Sequence, residues 1–113
     1  MKNDRLYLED IVTCIDKIFS YVSNTSEEAF LEDVGVINEA VLLNLINIGE
    51  ACSKVSLASR TKSPNIPWKK IINLRNIAVH QYYEVDYQQV WQIIECDLQQ
   101  LKNNVTPLLK DIS

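Results

Sequence analysis

Within one stretch, Arg75-Asn76-Ile77-Ala78-Val79-His80-Gln81-Tyr82, the chain places a permanent cation, an amide, a histidine and a phenol. His80 is the only histidine. It is the one side chain type whose ordinary pKa, about 6.5, lets it carry protons near neutral pH. A histidine on a helix can equally be structural, so its neighbours matter. Arg75 offers a planar fork suited to phosphate. Asn76 lies four residues before His80 and shares its helical face, where it can orient the ring or a substrate. Tyr82 lies seven residues after Arg75 and shares the face of that arginine. Arg75 and His80 themselves stand about 140° apart on an ideal helix. They converge only if the helix loosens near His80 or if two copies of the motif meet across a twofold axis.

Other residues qualify by type and place. Glu50 is a carboxylate within an apolar run and needs a partner, for which Arg75 is the obvious candidate. That pair is either structural or sets the angle of the arginine. Charge is also segregated. Residues 51–83 contain no acid and six bases, Lys54, Arg60, Lys62, Lys69, Lys70 and Arg75, in a chain whose net charge is −4. Such a segment focuses a local positive field despite the acidic total, or is only a basic loop with solvated helix turns. Lys54, Lys69 and Lys70 are candidate contacts to a nucleic-acid backbone, with plain solvation the equal alternative for each.

Positioning these groups requires helices. Only two glycines and three prolines interrupt 113 residues, which suits long helices and short connections. A first helix is expected over about Asp4 to Val22, with Ile11, Ile15, Ile18 and Val22 on one face. A short acidic helix follows over Ser26 to Glu32. A third runs from after Gly35 to about Leu57, with a stripe of Ile37, Val41, Leu45, Ile48, Cys52 and Val55. Gly49 lies inside it, where glycine costs about 1 kcal/mol relative to alanine, so close backbone approach by a neighbour is expected. With Leu42 and Ile46 nearby, this reads as a hint of a dimer interface. Residues 58–66 read as the main loop. The motif helix is expected from Pro67 to about Tyr83. Asp86 and Gln89 read as a capping box, opening a last helix to about Leu109 with Tyr87, Trp91, Ile94, Leu98, Leu101, Val105 and Leu108 as its seam. The expectation is one all-α domain over residues 1–113, an antiparallel four-helix bundle with an extra short helix.

Several classes are disfavoured. Cys14, Cys52 and Cys96 are odd in number and widely spaced, which argues against a disulfide framework or a zinc site. No apolar run approaches the length of a membrane span. The N-terminus reads as an amphipathic helix rather than a signal peptide, making cytoplasmic location the default. No cofactor or metal is expected.

The same residues carry a family resemblance. Arg75-Asn76 followed by His80 and Tyr82 resembles the R-x4-H-x-Y motif of HEPN-domain toxins of the HepT type. Asn47-Ile48-Gly49-Glu50-Ala51 is similar to that family's central helix, and Ile66-Pro67-Trp68-Lys69-Lys70-Ile71-Ile72 to its lead-in to the motif. Val85-Asp86 through Val90-Trp91, then Asp97-Leu98, resembles its final helix. Gln81 departs from the glycine or short residue of many relatives. The resemblance spans about residues 36–101. It implies a homodimeric, metal-independent endoribonuclease, the toxin of a type VII-like toxin–antitoxin pair.

Cleavage of RNA without metal needs a base for the 2′-hydroxyl proton, an acid for the leaving oxygen, and a cation against the phosphorane. His80 and Arg75 are the candidate catalytic residues for these tasks, with Asn76 and Glu50 supporting. A second proton carrier would be His80 of the other subunit, or water. In the family, the motif tyrosine resembles a target for AMP transfer by the antitoxin, a minimal nucleotidyltransferase of the MntA-like type. On that pattern Tyr82 is an off-switch, since added bulk and negative charge would block an anion cleft; otherwise it packs its ring at a helix end. The alternative for the whole chain is a non-catalytic helical subunit that docks a nucleotidyltransferase and presents substrate or nucleotide to it.

Overall fold

A computed structural model describes residues 2–32, 35–76 and 85–112, and all of its regular elements among them are helical. Helix α1 spans Lys2–Val22, α2 Glu27–Glu32, α3 Val36–Lys54, α4 Leu57–Lys62 and α5 Trp68–Ile72. Helical backbone resumes over residues 74–76. After the undescribed stretch come α6 (Tyr87–Gln92), a π-helical segment (Ile93–Asp97) and α7 (Leu98–Ile112) in one continuous rod. Among the described residues no helix is long and apolar enough to cross a membrane.

The expected faces are the buried ones. Leu8, Ile11, Ile15 and Ile18 of α1 are fully buried, against Val41, Leu45, Ile48 and Cys52 of α3 and Leu98, Leu101, Val105 and Leu108 of the last helix. Burial of each large aliphatic side chain contributes about 1.5–3 kcal/mol before chain entropy is counted. Helix α1 packs on both α3 and α7, while α3 also carries α5. Short α2 starts where Ser26 Oγ accepts from the Ala29 amide at 3.1 Å. It inserts Phe30 against the rings of Tyr87 and Trp91, at 6.1 and 5.1 Å between centroids. Asp86 caps α6 as its sequence suggests, accepting from the amides of Gln88 and Gln89 at 3.1 and 3.3 Å.

The structure departs from the sequence expectation in three places. The expected loop over residues 58–66 instead holds α4. Ser56 caps it, accepting from the Ser59 amide. Asp4, only 3% exposed, fixes that corner from the other end of the chain. Its carboxylate accepts from the Ser56 amide at 2.9 Å and from the hydroxyls of Ser56 and Ser59. Burial alone would raise the pKa of Asp4. The hydrogen bonds from Ser56 and Ser59, helped by the N-terminal charge, outweigh it and hold the group below its ordinary value.

The second departure is in the motif helix, which does not run unbroken from Pro67. It pauses at Asn73, whose amide donates to Lys69 O before helical backbone resumes. The third is the π-helical segment in the last helix, which adds a residue to one turn while Trp91, Ile94 and Leu98 all stay buried.

Candidate active site

Arg75 is built into the described structure by the interior of α3. Gly49 faces the backbone that leads into the motif. A Cβ placed on Gly49 would lie 3.0 Å from the amide nitrogen of Arg75, 3.2 Å from its Cβ and 3.2 Å from the carbonyl oxygen of Ile71. The close backbone approach expected at this glycine is therefore present, but the neighbour is the motif segment of the same chain. Gly49 is thereby accounted for within one chain and does not itself indicate a dimer interface. Leu42, read with it, is buried in the core, and Ile46 is partly buried against it.

One residue beyond Gly49, Glu50 meets the side chain that the close approach delivers. Arg75 Nη1 donates to Glu50 Oε1 at 3.2 Å. The two side chains are 36% and 47% exposed, so the pair sits at the rim of the core with both groups open to solvent. At that exposure its net stabilisation is small, about 0–1 kcal/mol. Its consequence is directional: one edge of the guanidinium is held towards α3, and among the described residues Glu50 is the side chain that it pairs with. Asn76, also described, is exposed, and its backbone amide donates to Asn73 O at 3.0 Å. His80 and Tyr82 fall within 77–84, outside the described residues.

The basic segment divides when seen in three dimensions. Arg60 is not free for a ligand. Its Nε donates to Val55 O at 3.0 Å, and its Nη2 to Cys52 O and Ser53 O at 3.0 and 3.1 Å. It thus adds to the bonding of carbonyls at the end of α3, where Cys52 O also accepts from the Val55 amide, and it lies over the Trp68 ring at 6.0 Å. Trp68 is itself tied down by its indole N–H donating to Ser63 O. Lys62, Lys69 and Lys70 are exposed. Lys54 is exposed too, with its ammonium 5.8 Å from the Tyr7 ring centroid. Three features were missed from sequence: the anchoring of Arg60, the pause at Asn73 and the identity of the neighbour at Gly49. For the first, basic character at a helix end was the available signal.

A line of apolar side chains leads along α3 to this place. Val36, Leu43 and Glu50 are spaced by sevens on one helical face, and Val36 and Leu43 are 82% and 57% exposed. Solvent is a poor environment for both.

Comparison with known proteins identifies the family. The family model described as Ribonuclease HepT-like matches residues 11–108. Two relatives carry the name "Putative RNase". One, from Methanocaldococcus jannaschii, is 33% identical over 108 residues, covering 96% of this chain and 88% of its own length. The other, from Caldanaerobacter subterraneus subsp. tengcongensis, is 32% identical over 110 residues, covering 97% of each chain. A protein named "Probable ribonuclease HepT", from Thermococcus cleftensis, is 32% identical over 104 residues, covering 92% of this chain and 94% of its own. No solved structure gives a significant match. With nearly the whole helical core inside the matched region, the chain belongs to the HepT-like ribonuclease family.

Proposed function

We infer that this chain is a metal-independent endoribonuclease and the toxin of a type VII-like toxin–antitoxin pair, working in the cytoplasm as a single HEPN-like domain. The observation that carries the reading is Arg75, seated on Gly49 and ion-paired to Glu50 within a family whose relatives are named as ribonucleases. In the proposed reaction the 2′-oxygen of a ribose attacks the adjacent phosphorus. His80 takes the 2′-hydroxyl proton or delivers one to the departing 5′-oxygen, and a cyclic phosphate remains on the product. Arg75 stabilises the phosphorane, where a correctly aimed cation acts most strongly. Asn76 orients the ring or the substrate. Glu50 keeps the arginine aimed, and Lys54, Lys69 and Lys70 draw in the RNA backbone.

The assembly we propose is an antiparallel four-helix bundle paired as a homodimer. Support comes from exposed Val36 and Leu43, which lie on the face of α3 that ends at Glu50. A partner covering them would bring its own motif beside this one and supply the second proton carrier. Tyr82 is the proposed target of AMP transfer by a minimal nucleotidyltransferase antitoxin, which would fill an anion cleft with negative charge.

The test is RNA cleavage by purified, unmodified protein in the presence of a chelator. Cutting with cyclic-phosphate ends is expected, lost in His80→Ala while the fold persists by circular dichroism. Full activity of that variant overturns the role of His80. Absence of cutting by the parent, together with retained binding to the nucleotidyltransferase, favours the docking-subunit reading instead.

A further inference from the structure

Beside the motif segment lies a groove of about 500 Å³, to which the proposed function so far assigns only Lys70. One wall comes from Asn65 to Leu74, the other from Gln89 to Asn104, and the π-helical segment contributes its first and last residues, Ile93 and Asp97. Along the last helix that is roughly 22 Å at about 1.5 Å per residue. Asn73 and Leu74 line it, so it runs up to the residue before Arg75.

The groove's chemistry is unusual for its place. Six side-chain amides line it, those of Asn65, Asn73, Gln89, Gln92, Gln100 and Asn104, over a floor that includes Ile71 and Leu101. Its charged side chains are one base and one acid, Lys70 and Asp97. Asn65 Nδ2 donates to Asn104 Oδ1 at 3.1 Å, which ties the two walls together. A groove built for phosphates would be lined by cations, and one built for a charged peptide would carry an excess of one sign. Amides present a donor and an acceptor side by side in one plane. That is the pattern on the edge of a nucleobase, and bidentate amide–base pairing is a recurrent mode of readout. The apolar floor suits the face of an unstacked base, as single-stranded RNA recognition requires. The π turn lies in one wall, and such turns are often found at functional sites.

We propose that this groove seats an unpaired nucleobase of the RNA next to the phosphate held by Arg75, with Gln92 and Gln100 reading its edge. The proposal rests on the ribonuclease reading for its substrate, and it assigns single-stranded RNA and a base preference to a chain whose cationic groups read only phosphates.

The experiment uses the full chain and RNA oligonucleotides carrying one abasic ribose at successive positions around the cut. In the parent, one abasic position should lower kcat/KM by about tenfold or more, the discrimination expected of one bidentate base contact. In Gln92→Ala/Gln100→Ala, the intact oligonucleotide should be cut about tenfold less well, and the abasic one scarcely worse than that. Both residues are exposed, so an unchanged urea midpoint should show an intact fold. Equal abasic penalties in parent and variant overturn the proposal. A cleavage-independent arm uses 4-thiouridine RNA with 2′-deoxy substitution at the cut, photocrosslinked and mapped. Adducts on residues 65–74 or 89–104 support the groove even if the parent cuts no RNA, in which case only the cleavage reading fails. Adducts confined elsewhere overturn the groove even if RNA is cut. Parent-like crosslinking by the double variant, with loss of a bound protein partner, would make the groove a protein seat and overturn it as well.

Discussion

Gly49→Ala pits two well-calibrated effects against each other. In a helix interior, alanine is preferred to glycine by about 1 kcal/mol, so propensity alone predicts a stabilised protein. The new methyl would sit 3.0 Å from the Arg75 nitrogen, 3.2 Å from Arg75 Cβ and 3.2 Å from Ile71 O. Comfortable contacts between carbon atoms lie near 3.5–4.0 Å. None of the three atoms is the end of a flexible side chain, so relief requires the motif backbone to move off α3. Overpacking of that kind costs about 1–3 kcal/mol. The expected net is a loss of about 1 kcal/mol, or roughly 4–8 °C in Tm for a domain near this size. Activity should fall further than stability, because the same displacement shifts Arg75 relative to Glu50, and misplacement by an ångström can cost about a hundredfold in rate. Urea unfolding and cleavage of a fluorescent RNA, measured on the same preparation, check both arms. A variant about 1 kcal/mol more stable than the parent, with parental cleavage, would refute the argument that Gly49 exists to admit Arg75.

Two further outcomes follow from buried groups. Asp4→Asn should destabilise the fold by about 2 kcal/mol at pH 7, because charge-assisted hydrogen bonds to Ser56 and Ser59 are weakened. Since the folded pKa of Asp4 is depressed, its contribution is fully present above the ordinary carboxylate value and lost as pH falls through the lowered one. The gap between parent and variant in urea midpoint should therefore narrow from pH 7 to pH 3; a constant gap would contradict it. Among the thiols, burial raises Cys14 and pushes Cys52 up to about 12, while Cys96 is exposed. An aromatic disulfide reagent should label Cys96 in the native protein and the other two only on unfolding. Simultaneous labelling of all three would contradict the burial assigned to Cys14 and Cys52.

What the sequence revealed was local or periodic. The 4-3-4-3 seam from Tyr87 to Leu108 predicted the buried face of the last helix, and Asp86 announced its start because capping is a contact between near neighbours. The expected pair of Glu50 with Arg75 is present at 3.2 Å, but its premise of a buried carboxylate is not, since Glu50 is 47% exposed. The failures depended on distant partners. Helix α4 read as a loop because its corner is fixed by Asp4, fifty-two residues before Ser56. Gly49 correctly signalled a close approach, yet periodicity cannot name which backbone arrives. Nothing in the spacing marks the pause at Asn73 or the π turn, since a helix with one extra or missing bond keeps much the same apolar pattern.

The anchoring of Arg60 has a thermodynamic consequence. Counterions displaced from a nucleic acid scale with the protein cations that replace them. With Nε and Nη2 of its guanidinium held by the Cys52, Ser53 and Val55 carbonyls, Arg60 is poorly placed to close on a phosphate and is left out of the count. Of the six bases in residues 51–83, the remaining five set the ceiling for that segment. At about 0.7 ion per contact on a single strand, the logarithm of its RNA affinity can fall no more steeply than roughly 3.5 per decade of salt. The ionic-strength dependence that this segment contributes is thus shallower than its count of bases suggests, because one of its charges serves as internal mortar.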